Sequence, residues 1–145
     1  MSLQTDLEAI GARLVPHADN WKARVWGQLS KLGGVNDFSQ RFWITLAPDI
    51  CYPRTVRNPW APVYETTIRH EMVHVRQQQR DGLFTWLVKY LASQDFRWRM
   101  EREAYLCDIR AGENTSRDVA ATLHDIYRVF SPTVDQMVTW FEGHR

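Results

Sequence analysis

The chain has 145 residues, 44% of them hydrophobic and 24% charged, with a formal net charge of +1. That size and composition fit a single globular domain, residues 1–145, with enough apolar side chain to bury a core. They supply no basic field for nucleic acid, and the Arg-rich piece "FRWRMERE" is interrupted by Glu101 and Glu103, so no nucleic-acid partner is expected.

The start, "MSLQTDLEAIGARL", carries early acids and no apolar stretch, which is unlike a secretory leader. Leu3, Leu7, Ile10 and Leu14 recur at helical spacing and predict a helix over residues 2–15, ending near Pro16. A second helix is predicted with Asp19 as its cap, Trp21, Val25, Trp26, Leu29 and Leu32 on one face, and Gly33-Gly34 as its stop. "RFWITLAPDICYP" concentrates aromatic and β-branched residues between prolines and predicts a short strand or hairpin. "RTVRNPWAP" reads as a loop. A helix then runs from about Pro62 to Arg80, stopped at Asp81-Gly82. "LFTWLVKYLAS" predicts a well-buried helix. It is about half the length of a membrane span and contains Lys89, so a cytoplasmic protein with no membrane partner is expected. Residues 95–111 form a long helix ending at Gly112, Thr115 and Asp118 start the helix "VAATLHDIYRVF", and Ser131-Pro132 open the last one. Cys51 and Cys107 read as free thiols, too few for a four-cysteine zinc site. The fold class expected is α+β and predominantly helical, with a small sheet.

The chemistry concentrates in "RHEMVHVRQQQ", residues 69–79. At 100° per residue His74 lies about 40° round the helix from His70, while Ile68, Met72 and Val75 cluster roughly opposite. Two imidazoles then share one face, close enough to hold one ion. Glu71 falls between the two faces, poorly placed as a ligand but able to hold a water molecule and take its proton. The competing reading is a polar helix surface in which Glu71 pairs with Arg69 or Arg76. The Gln77-Gln78-Gln79 run reads as helix surface, with Gln77 on the histidine face and able to reach substrate.

A third ligand is offered by "MEREAYLCD" on the later long helix, where Glu101 and Glu103 point about 200° apart, so one of the two faces the metal. Ala104, beside Glu101, would let that helix approach closely and favours Glu101, with Glu103 as the alternative. Either carboxylate completes a His2Glu set with one position left open, the arrangement of catalytic zinc. Asp108, on the Glu101 face, can support a histidine ligand or pair with surface arginines. Tyr105, His124 and Tyr127 are candidate donors to an oxyanion, although a His or Tyr on an amphipathic helix is more often a core or rim residue.

"HEMVHVRQQ" followed after an apolar helix by "EREAY" resembles the small gluzincin-type zinc metallopeptidases of bacteria and their phages, over residues 41–111. The resemblance implies one zinc ion held by two histidines of the motif and a glutamate of a later helix, often written E-x-x-A, as in residues 101–104. It also implies a zincin-like core with a strand bordering the cleft before the motif helix, here "FWITLAPDI", and hydrolysis of a polypeptide. The metzincin pattern is absent, since Gln77 and Arg80 stand where it needs Gly and His, and so is the thermolysin-like N-E-x-x-S-D pattern. The expected function is a zinc peptidase with metal ligands His70, His74 and Glu101 and with Glu71 as general base. The alternative is a zinc-binding, catalytically weak assembly or binding module, such as a phage-particle or host-interaction protein.

Overall fold

The computed structural model describes residues 2–32, 40, 42–112, 114–126 and 132–145, without the side chains of 29–32 and 126. They contain seven α-helices and one three-stranded sheet, an α+β and mostly helical chain. They group into two compact units, one up to Leu83 and one from Phe84 onward.

The first unit opens with α1 (Leu3–Ala9), where Ser2 caps the helix by accepting from the Thr5 N–H at 3.3 Å. The predicted helix is cut short. Gly11 takes a φ of +66°, a conformation that glycine adopts freely, and the chain turns into β1 (Arg13–Pro16). Leu14 therefore sits on a strand, although its spacing from Leu3, Leu7 and Ile10 is helical, and all four still pack in one cluster. After a 3-10 turn comes α2 (Trp21–Leu32). Its cap is Asn20 rather than Asp19: the Asn20 Oδ1 accepts from the Ala23 N–H at 3.0 Å. Asn20 also donates to Asp49 Oδ2 at 2.7 Å, while Arg13 takes Oδ1 at 2.5 Å, so one buried carboxylate joins β1, β3 and the start of α2. Trp21 and Val25 are 64% and 50% exposed, so the predicted apolar face of α2 is not wholly buried. The predicted Gly33-Gly34 stop lies outside the described residues.

The predicted hairpin is present as β2 (Ile44–Leu46) and β3 (Asp49–Tyr52), joined through a cis Ala47-Pro48 bond. The order is β1-β3-β2. β3 pairs antiparallel with β2, Thr45 opposite Ile50, and parallel with β1, Leu14 opposite Ile50. A 3-10 turn at Pro62–Tyr64 leads into α3 (Glu65–Asp81), which stops at Gly82 with φ +81°. Ile68, Met72 and Val75 of α3 are buried with Leu7, Ala12 and Ile50. At about 1.5–3 kcal/mol for each large apolar side chain removed from water, this stripe anchors the helix on its sheet and fixes which face is left for polar residues.

The second unit contains most of α4 (Leu83–Ala92), then α5 (Gln94–Arg110), α6 (Ser116–Ile126) and α7 (Val134–Glu142). α4 departs from the predicted buried helix: Trp86 is buried, but Phe84, Val88 and Leu91 are 80%, 49% and 57% exposed. α5 is capped by Ser93, which accepts from the Phe96 N–H at 3.2 Å, and is followed by Gly112 at φ +77°. Thr115 and Asp118 open α6 with reciprocal bonds, as their spacing predicts. The end of that predicted helix, residues 127–130, lies outside the described residues, as does Ser131. α7 is capped instead by Thr133 in a capping box with Gln136. Trp98, Ile109, Val119, Ala120, Leu123, Met137 and Phe141 form the core of this unit. Cys51 and Cys107 are free thiols, and no helix among the described residues is long and apolar enough to cross a membrane.

Candidate metal centre

α3 places the motif as its spacing requires. The rings of His70 and His74 lie with centroids 5.0 Å apart at an interplanar angle of 77°, both buried, on the side away from Ile68, Met72 and Val75. The helix is therefore not a solvated surface with incidental histidines. Next to them Glu71 is also buried, and Thr45 of β2 donates its hydroxyl to Glu71 Oε2 at 2.7 Å. One carboxylate oxygen is thus fixed by a strand that packs on the helix.

The glutamines that follow are not a surface run. Gln77 and Gln78 are buried, and only Gln79 of the three is exposed, where it donates to the Ile10 carbonyl at 2.8 Å. A buried amide is costly unless it is hydrogen-bonded, and both have partners. Gln77 Oε1 accepts from His74 Nδ1 at 2.9 Å. Gln78 straddles β2, donating to the Thr45 carbonyl at 2.9 Å and accepting from the Ala47 N–H at 2.8 Å. Gln78 thereby locks the helix to the strand that carries Thr45.

In the second unit Glu101 is buried midway along α5, with Ala104 one turn later also buried, whereas Glu103 is exposed. The Tyr90 hydroxyl of α4 donates to Glu101 Oε1. Asp108 is buried and accepts from the Cys107 thiol at 3.2 Å. Tyr105 is half-buried against the apolar cluster of this unit. His124 is exposed, its Nδ1 4.0 Å from Asp125 Oδ1, and Tyr127 lies outside the described residues.

The chain matches no protein family, no curated protein and no solved structure.

The site therefore stands on its own chemistry. Two imidazoles and a carboxylate are the donor set of zinc, whereas calcium and magnesium take oxygen shells. Because a glutamine oxygen can only accept, the Gln77 bond puts the His74 proton on Nδ1 and leaves the Nε2 lone pair for a metal. Burial, and then the neighbouring Asp49 charge, pushes the Cys51 thiol up to about 12, so Cys51 stays a protonated core residue and contributes no thiolate. Three residues escaped the sequence reading: Thr45, Gln77 as a support for His74, and Tyr90. Thr45 lies in a segment correctly read as strand, but which side chain of a three-residue strand meets the helix depends on pairing register. Tyr90 reads as part of an apolar helix.

Proposed function

We propose that this chain is a zinc-dependent hydrolase acting on polypeptides, with a zincin-like core of the gluzincin type. The observation that carries this reading is the buried polar face of α3, where His70 and His74 lie side by side and Glu71 is held by Thr45. The ligands are His70, His74 and Glu101. Supporting Glu101 over Glu103, Glu101 is buried at mid-helix on α5 whereas Glu103 is exposed.

Held by His70, His74 and Glu101, a zinc ion would supply Lewis acidity, to polarise a peptide carbonyl and to lower the pKa of a water molecule towards neutrality. Glu71 accepts a proton from the attacking water as its oxygen bonds to the carbonyl carbon. The same carboxyl then gives that proton to the amine nitrogen as the C–N bond breaks. Thr45 holds Glu71 in one rotamer, which limits the entropy lost in reaching that geometry. The substrate chain lies extended along β2, an edge strand of the sheet. Gln78 already occupies the Thr45 carbonyl and the Ala47 N–H, so the chain pairs N-terminal to these groups.

The test is cleavage of a broad peptide library, read by mass spectrometry, by zinc-loaded, chelator-treated and zinc-restored protein. Cleavage that disappears on chelation and returns with zinc supports the reading. Cleavage indifferent to chelation contradicts it, and full zinc occupancy with no cleavage gives way to a zinc-binding assembly module.

A further inference from the structure

We propose that Tyr90 is the positioning residue for the third metal ligand: its phenol holds one oxygen of Glu101 so that the carboxylate presents the other as a single donor. The inference rests on the reading of Glu101 as a ligand and adds how that ligand is held.

The Tyr90 hydroxyl donates to Glu101 Oε1. A carboxylate can bind a metal through one oxygen or both. A donor on Oε1 withdraws that oxygen from coordination, and a hydrogen bond to an ionised acceptor is stronger than a neutral one. Glu101 sits buried at mid-helix on α5, so its carboxylate has few ways to be solvated, and the phenol offsets part of that cost.

Tyr90 is itself built into place. Its ring stacks on Trp86, one turn earlier on α4, with centroids 4.5 Å apart and planes 17° from parallel. Over the ring sits the Arg97 guanidinium, 5.2 Å from the centroid. Arg97 is fixed in turn by donating to the Tyr90 carbonyl at 3.0 and 2.8 Å and to the Leu91 carbonyl at 3.2 Å, groups that the end of α4 leaves without helical partners. Packing and hydrogen bonds therefore set the position of the hydroxyl before any ligand binds, as a support for a metal ligand requires. A tyrosine serving only as core packing would need the ring but not the oxygen.

The test compares the parent with Tyr90→Phe, which keeps the ring and removes the hydroxyl. Zinc affinity is measured by competition with a chromophoric chelator, and cobalt is used as a spectroscopic probe of coordination. Expected are a folded variant whose metal-free melting temperature falls modestly, since the buried carboxylate loses a donor, zinc affinity lower by about 10–100-fold, and a changed visible cobalt spectrum as Glu101 binds through both oxygens. In a Glu101→Ala background, Tyr90→Phe then adds no further loss of affinity, because the phenol acts through that carboxylate. Parent-like affinity and spectrum in Tyr90→Phe overturn the proposal and leave the zinc reading standing. Failure of the parent itself to bind zinc or cobalt overturns both.

Discussion

Gln77 accepts a hydrogen bond from His74 Nδ1 at 2.9 Å, three residues along the same buried helix. The amide oxygen selects the tautomer whose other nitrogen can bind a metal. Removing it by Gln77→Leu, which keeps the bulk, takes away the acceptor that fixes the Nδ1 tautomer. Zinc affinity falls by about 10–100-fold, while Gln77→Glu, which still accepts at that place, binds close to the parent level or more tightly. Chelator competition on the three proteins decides it, and equal affinities would remove Gln77 from the site.

Gln78 makes a separable prediction, on stability. It is buried and bonds both Thr45 O and Ala47 N–H of β2. Gln78→Ala strands two polar backbone groups at about 1–3 kcal/mol each, partly relieved by water entry. A loss of about 2–4 kcal/mol in urea unfolding of metal-free protein is expected. A loss under half a kcal/mol would mean that the helix does not depend on this bridge to the strand.

How far the sequence alone reaches is clear from these two neighbours. The i, i+4 histidines and the apolar stripe of Ile68, Met72 and Val75 follow from helical periodicity, a local property. Three adjacent glutamines look solvated because the composition of "QQQ" carries no information about tertiary partners. The burial of Gln77 and Gln78 depends on His74 and on a strand more than thirty residues earlier. For the same reason β1 was hidden: Leu3, Leu7, Ile10 and Leu14 obey a helical period, but Gly11 breaks the helix and a parallel strand partner, β3, captures Arg13–Pro16. α4 shows the converse. Its composition is apolar, yet Phe84, Val88 and Leu91 are exposed, since hydrophobicity alone does not say which side of a helix finds a partner.

His17 gives a pH prediction. It is buried, with Nε2 3.0 Å from the Phe42 carbonyl, and burial lowers its pKa below the ordinary 6.5 despite that hydrogen bond. Below pH 6.5 the unfolded chain binds a proton that the folded chain resists. Stability contributed by neutral His17 is therefore full above that pH and declines as the pH falls towards the folded-state pKa. Melting temperature measured with chelator present, from pH 8 to pH 5, should fall more steeply in the parent than in His17→Gln. Parallel curves would assign the acid sensitivity to other groups.

Glu101 and Glu103 separate ligand from surface. Glu101→Ala removes a buried carboxylate, and Glu103→Ala an exposed one. The rise in melting temperature on zinc addition, which reports binding to the folded state, should largely vanish in the first and persist in the second. The reverse ranking would move the ligand to Glu103.

The most direct measurement of the central claim compares Glu71→Gln with the parent, both loaded to one zinc per chain. Glutamine keeps the size of Glu71 and an oxygen for Thr45 but cannot accept the water's proton. The account predicts unchanged zinc stoichiometry and folding, with peptide cleavage lower by two or more orders of magnitude, roughly the scale of general-base catalysis. Cleavage by Glu71→Gln at the parent rate, with zinc occupancy full in both, would contradict it.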